Sequence, residues 1–291
     1  MIPAQFDYVR PAAMHEALQI LVDHEGDAKI LAGGYSLLPL LKLRLASPTL
    51  LVDIHDIDGL DEIIETTDGL RIGSRATHRR IHENPVVQNG YPLLVDAAGG
   101  IGDPQVRNWG TIGGSCAHAD PSSDWPAVLI ATRATVVLQS VSGERSVAAR
   151  SFFIDTFQTA IEPTELLTEV IIPRAPRPSG AAYAKLERRA GDFATVGVAA
   201  QLSLGPDGRI SAAGIGLTAV AETPFAATAA EAALVGQEPN EATFQAAGVA
   251  AAAESRPGTD AHGPVEYKRA MVKEMVVRAL RSAAGRALAQ R

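Results

Sequence analysis

The apolar positions change period along the chain, and each change marks an element. After Pro11, Ala13, Ala17, Leu18, Leu21 and Val22 recur at helical spacing while His15, Glu16, Gln19 and Asp23 fall off that face. This predicts an amphipathic helix that Glu25-Gly26-Asp27 breaks. Residues 29–31 then predict a short buried strand, 37–45 an apolar helix capped by Ser36, and 50–54 a second strand, so the opening is β-α-β in character. Residues 63–65 and 70–72 flank Thr67-Asp68-Gly69, and Asp-Gly accepts the positive φ of a tight hairpin turn. Thr77 reads as the cap of a short helix that Pro85 ends. Residues 86–98 read as a helix interrupted near Gly90-Tyr91-Pro92, and 99–108 as a loop. Turn residues 119–124 lead into a helix over 125–132. A second hairpin joins 134–139 to 144–147 across Ser142-Gly143, Ser151 reads as a cap, and 166–172 is a strand.

The pattern then shifts. Pro173-Arg174-Ala175-Pro176-Arg177-Pro178-Ser179-Gly180 stiffens the chain into an extended form and marks a boundary. Beyond it, 181–186, 195–204 and 209–217 read as strands, with Pro206-Asp207-Gly208 as the last turn. Alanine-rich helices follow over 225–234, 241–254 and 264–288. Together these predict a small antiparallel sheet backed by helices.

Composition narrows the function classes. With 46% hydrophobic residues in 291, the chain can build a real core. A net charge of -7 lacks the basic footprint of a nucleic-acid binder, and the short basic stretches 75–80 and 185–189 read as solvated faces. Cys116 is the sole cysteine, so these residues hold no disulfide pair and no four-cysteine iron–sulfur or zinc site. The start of the sequence carries no basic-then-apolar signal pattern and no apolar run is long enough to span a bilayer. A cytoplasmic protein is the expectation.

Two glycine pairs carry the candidate chemistry: Leu31-Ala32-Gly33-Gly34-Tyr35-Ser36 and Gly110-Thr111-Ile112-Gly113-Gly114-Ser115. Consecutive glycines let several N–H groups point at one spot, making an anion nest. Two nests brought together by folding suit two linked phosphates, and hence a dinucleotide held without a lysine. The commoner nucleotide signatures do not fit. There is no GxxxxGK[ST] run. Gly214-Ile215-Gly216-Leu217-Thr218-Ala219 has the GxGxxA spacing but lies inside a strand pattern, with Pro224 interrupting any following helix. Gly34-Tyr35-Ser36-Leu37-Leu38 lacks the last glycine of a nucleophile elbow. His78 and His82 have metal-ligand spacing, but Arg79 and Arg80 beside them oppose a cation, so an exposed helix surface is the reading. Cys116 reads as packing. Asp124 stands just past the second pair, either as an N-cap or as an acceptor for ribityl or ribose hydroxyls.

The run Ala32-Gly33-Gly34-Tyr35-Ser36-Leu37-Leu38-Pro39-Leu40-Leu41-Lys42-Leu43-Arg44 resembles the first flavin-binding signature of the FAD subunits of molybdenum hydroxylases, the medium subunits of aerobic carbon monoxide dehydrogenases among them. Residues 103–115, continuing through His118-Ala119-Asp120-Pro121 to Asp124-Trp125-Pro126, resemble the second signature. Arg188-Arg189-Ala190-Gly191-Asp192-Phe193-Ala194 resembles the run that opens that family's C-terminal part. The resemblance implies an α+β chain. Residues 1–175 would form a two-lobed FAD-binding unit of the vanillyl-alcohol-oxidase (PCMH) type, with lobes at about 1–57 and 58–175. Residues 180–285 would form a flavoprotein C-terminal unit. It implies that Ala32, Gly33, Gly34, Tyr35 and Ser36, with Thr111, Ile112, Gly113, Gly114 and Ser115, hold the FAD pyrophosphate. Asp124 would lie near the ribityl chain or adenosine hydroxyls, Leu167 near the adenine, Lys185 at the polar edge of the isoalloxazine, and Phe193 against one flavin face. Tyr35 stands where relatives often have Gln or His, and Phe193 where they often have Tyr, so a phenol hydrogen bond is lost there.

No catalytic residue and no metal ligand is assigned to this chain. The resemblance implies a flavin relay within a complex: electrons would come from a small iron–sulfur subunit, substrate chemistry would belong to a large molybdenum-cofactor subunit, and an external acceptor would take the electrons. A dimer of such heterotrimers is the expected assembly. A self-sufficient flavin oxidase or dehydrogenase of the same fold, and a flavin-less assembly relative, are the alternatives.

Overall fold

Three parallel strands open the chain in a computed structural model that describes residues 1–290. Leu50–Asp53 lies between Asp7–Val9 and Ala28–Leu31. The helix Met14–Asp23 buries Ala17, Leu18 and Leu21, the face its spacing predicts, in a small core with Val52, Ile54 and Leu60. The strand Ala28–Leu31 runs into the first glycine pair, and the helix Leu37–Leu43 leaves it. Ser36 stands at the N-cap of that helix but its hydroxyl makes no capping bond, because its backbone is already αR (φ -93, ψ -45) rather than extended.

A five-stranded sheet follows, with Leu166–Pro173 at its centre between Gly69–Gly73 and Thr135–Ser140. The two predicted hairpins form its edges, Ile63 opposite Ile72 and Ser140 opposite Gly143. Short helices cover this sheet. Two of them depart from the sequence reading. The expected loop over 99–108 contains the helix Pro104–Trp109, whose N-cap Asp103 accepts the Val106 N–H at 2.8 Å. The second glycine pair is not a loop either: it forms the first turn of the helix Ile112–His118. Ser151 ends a short 3₁₀ turn, Ala149–Ser151, and caps nothing.

The four strands Ser179–Leu186, Val196–Leu204, Ile210–Thr218 and Phe225–Ala226 make an antiparallel meander. The helices Thr228–Leu234, Glu241–Glu254 and Val265–Leu288 pack on it around Leu202, Ile215, Phe244, Val276 and Leu280. The first is shorter than predicted, since Phe225 and Ala226 pair with Leu217 and Gly216 as an edge strand. The other face of the meander receives the helix Asp124–Ala131, all eight residues of which are buried. Gly214 and Gly216 permit this contact. A Cβ on either would lie 1.9 Å from the Ala131 oxygen or 2.0 Å from the Ala127 oxygen, so the GxGxxA spacing serves helix-on-sheet packing.

Candidate functional site

The two glycine pairs meet at one wall of a cavity of about 1040 Å³, the upper end of the range for small-molecule and cofactor sites. Gly33 sets the meeting. A Cβ there would lie 2.2 Å from the Trp109 oxygen and 2.9 Å from the Gly110 Cα, so only glycine lets the first loop touch the second segment. Gly34 has φ 75, the left-handed region where glycine alone is unstrained, and its carbonyl accepts the Leu38 N–H at 2.8 Å. Among the described residues, the N–H groups of Gly33, Gly34, Tyr35 and Ser36 donate to nothing. Four such amides in one exposed turn are an open anion nest.

The second pair is built differently. Gly113 N–H donates to the Ser74 oxygen (2.8 Å), Gly114 N–H to Thr111 Oγ1 (3.0 Å), and Ser115 N–H to the Thr111 oxygen (3.0 Å). Its glycines serve close packing instead: a Cβ on Gly113 would lie 2.5 Å from the Ser74 Cβ. The expectation of two equivalent amide nests is therefore corrected to one, because the Ser74 oxygen, the Thr111 side chain and the first helical turn take up the second set of donors. What the second segment offers the cavity is side chains. Ser115 Oγ and Ser123 Oγ are 2.7 Å apart, and both residues line it.

Behind these lies a buried polar cluster. Asp124 is the first residue of its helix, with Ser123 as the N-cap. Its Oδ1 accepts from Tyr183 Oη at 2.6 Å and its Oδ2 from Lys185 Nζ at 3.2 Å. Lys185 Nζ also donates to the Gly100 oxygen at 3.1 Å and stands 3.5 Å from Glu187 Oε2. Burial pushes the Asp124 carboxyl above its ordinary value even though Lys185 pulls it back, and burial with Asp124 beside it raises the Tyr183 phenol well above 10.0. One lysine thus serves two carboxylates, and the N-cap reading of Asp124 gives way to a buried ion pair at the cavity wall.

The cavity brings together Ala32, Gly33, Gly34, Tyr35, Ser36, Thr111, Gly113, Gly114, Ser115, Asp124, Leu167, Lys185 and Phe193. Ile112 is the exception, because the helical turn sends its side chain into the hydrophobic core, fully buried with Trp125 and Leu94. Phe193 presents its ring at the rim, 55% exposed, on a segment where Gly191 at φ 88 lets the backbone lie against Gly102.

Two lining residues escaped the sequence reading. His78 is buried, not on an exposed helix face. It accepts the Trp125 Nε1–H at Nδ1 (2.9 Å), and burial, with Arg107 nearby, lowers its pKa to about 3. Ser74 is equally buried, and its Oγ has no partner. Neither had a local signal, since each is placed by the neighbouring strand and helix. His82 Nδ1 lies 3.2 Å from the Val95 oxygen, and no cluster of metal-ligating side chains occurs among the described residues. Cys116 is packing, with its thiol pushed up to about 12 by burial.

Known proteins identify the family. The pattern described as the FAD binding domain in molybdopterin dehydrogenase matches residues 4–175, and that of the CO dehydrogenase flavoprotein C-terminal domain matches 181–283. The chain therefore belongs to the FAD-binding family of the molybdopterin dehydrogenases, and it is an oxidoreductase flavoprotein subunit with FAD as its cofactor. Among similar proteins, the carbon monoxide dehydrogenase medium chain of Hydrogenophaga pseudoflava is 41% identical, over 97% of this chain and 98% of its own. Subunit alpha of the 6-hydroxypseudooxynicotine dehydrogenase complex of Paenarthrobacter nicotinovorans is 38% identical, over 99% and 97%. A solved structure of the Hydrogenophaga pseudoflava carbon monoxide dehydrogenase, in a form lacking the Mo-pyranopterin moiety, superposes with a TM-score of 0.95 at 44% identity, covering 98% of this chain and 99% of that one. The fold is thus the predicted two-part α+β flavoprotein fold. The residues also fit FAD on their own chemistry, with an open amide nest, the unpartnered Ser74 hydroxyl and a buried cation around one large cavity.

Proposed function

We propose that this chain is the electron-transfer subunit of a molybdenum hydroxylase complex, carrying FAD between partner iron–sulfur clusters and an external acceptor. The observation that supports this best is the single cavity that gathers the open nest of Gly33 to Ser36, the buried Lys185–Asp124 pair and the ring of Phe193. Bound FAD supplies two-electron chemistry with release of electrons singly or in pairs, and the protein supplies binding, orientation and field. Residues 1–175 form the FAD-binding unit and 180–285 the second unit that closes on it. The amides of Ala32 to Ser36, with the Thr111 to Ser115 turn, hold the diphosphate. Leu167 packs toward the adenine, and Asp124 orders the ribityl side. Lys185 places positive charge where the flavin's polar edge becomes electron-rich, and Phe193 covers one face.

The complex brings a molybdenum-cofactor large subunit and an iron–sulfur small subunit, paired as a dimer of heterotrimers. With a single, buried cysteine, these 291 residues need a partner chain for any cluster. Relatives named for carbon monoxide and for 6-hydroxypseudooxynicotine are similar to this chain at 41% and 38% identity. Such spread favours a substrate chosen by another subunit. Purification from the native source tests the assembly: a larger molybdenum chain and a smaller iron–sulfur chain are expected to co-elute. Recovery of the chain alone, fully active on a small substrate, would overturn it. Reconstitution with FAD is expected to give a flavin absorbance band, and a colourless product would sink the cofactor role.

A further inference from the structure

Two buried polar groups beside the proposed diphosphate site have no role assigned to them. Ser74 Oγ has no hydrogen-bond partner and is fully enclosed by protein, although the residue lines the cavity. A buried hydroxyl with nothing to bond costs roughly 1–3 kcal/mol, so its presence calls for a missing partner. His78 lines the same cavity. Its Nδ1 accepts the Trp125 indole N–H at 2.9 Å, and this fixes the tautomer, because a neutral imidazole that accepts at Nδ1 must carry its proton at Nε2. Nε2 has no protein partner among the described residues and lies against Gly110, where a Cβ would come within 2.7 Å of it.

Both groups stand where the glycine segments meet. Gly33 touches Gly110 and Gly113 packs on Ser74, so the open amides and these two side-chain donors border one corner. The nearby cations are already engaged: Arg107 donates to the Ile101 and Gly102 oxygens, and Lys185 to Asp124 and the Gly100 oxygen at the buried polar cluster.

We propose that Ser74 and His78 are side-chain ligands of the dinucleotide's diphosphate, Ser74 by turning its enclosed hydroxyl about χ1 into the cavity the residue lines, so that Oγ–H and Nε2–H donate to phosphate oxygens alongside the Gly33 to Ser36 amides. The inference rests on the proposed FAD site and adds the part that the second glycine pair leaves unfilled, since that pair spends its own amides internally. Trp125 is the positioning residue, holding the imidazole in its donating tautomer. Neutral donors suit the place, because a charged imidazole would be costly in such a buried corner, and burial keeps His78 uncharged.

The test measures dissociation constants of the full chain for FAD and for riboflavin, which lacks the diphosphate, by flavin fluorescence. His78→Leu is expected to weaken FAD about tenfold or more, and Ser74→Ala about three- to tenfold, while riboflavin binding stays unchanged. His78→Gln, whose amide can both accept from Trp125 and donate, is expected to recover most of the loss. The phosphorus NMR lines of bound FAD should shift in Ser74→Ala, a variant small enough to fold like the parent. Unaltered FAD affinity in both variants overturns the inference, and so does an equal loss for FAD and riboflavin. Failure of the parent chain to bind FAD is a separate result, which removes the flavin site itself.

Discussion

His78 shows how one side chain couples stability to pH. Its pKa falls from 6.5 to about 3 on folding, because burial disfavours the charged ring. Below pH 6.5 the unfolded chain binds a proton that the folded chain refuses, so the stability linked to His78 is complete above 6.5 and declines toward pH 3. The decline is on the order of a few kcal/mol. Urea midpoints measured from pH 7 to pH 4 should fall less steeply in His78→Gln, which has no group to protonate. At the other end of the site, Lys185 is, among the described residues, the only cation bonded to the buried Asp124 carboxylate. Lys185→Met is expected to cost about 3–5 kcal/mol through the unpaired charge it leaves, read as a lowered denaturation midpoint. The same variant should partly recover as the pH is lowered, because the already raised Asp124 carboxyl then takes up a proton and the unpaired charge is removed.

At the scale of elements, the glycines divide into those that permit contact and those that do not. Gly214→Ala would place a methyl 1.9 Å from the Ala131 oxygen and push the buried helix Asp124–Ala131 off the meander. A loss of about 1–3 kcal/mol or more is expected, visible as a drop in Tm. Gly285 lies inside the helix Val265–Leu288 with nothing within 4 Å of its added Cβ. Gly285→Ala is expected to stabilise by about 0.5–1 kcal/mol, because alanine loses less backbone entropy in a helix. In a sequence the two glycines look alike. The second glycine pair teaches the same lesson at the site: Gly113 and Gly114 were legible as important, but their place in a helical turn was not. Nothing local distinguishes a nest from a turn whose donors are taken by Ser74 and Thr111.

Across the whole molecule, the residues before and after the proline-rich boundary are tied together by buried and half-buried ion pairs. Glu231, buried beneath the C-terminal sheet, accepts from Arg150 Nη1 at 3.0 Å, from Arg133 at 3.4 Å and from the Ile215 N–H at 2.8 Å. Arg286, near the C-terminal end of the last helix, bonds Asp96 (2.6 Å) and the Ala181 oxygen (2.6 Å). Glu231→Ala leaves Arg150 with no carboxylate and the Ile215 amide without an acceptor. Calorimetry should then show a loss of about 3–5 kcal/mol, with unfolding broadened or split relative to the parent. None of these partners is near another in sequence, so no periodicity announces them.

What the sequence determined was the order of elements, the two hairpins, the alanine-rich helices, the two glycine segments and the absence of a cluster-forming cysteine set. Those follow from local rules: hydrophobic period, turn chemistry and residue counts act within a few positions. Tertiary structure alone decided that Ile112 faces the core, that only the first glycine pair keeps its amides free, and that His78 meets Trp125 and Ser74 meets Gly113. Each of these depends on which distant backbone arrives to spend a donor or bury a ring, and a hydrogen bond across 47 residues leaves no trace in the pattern along the chain.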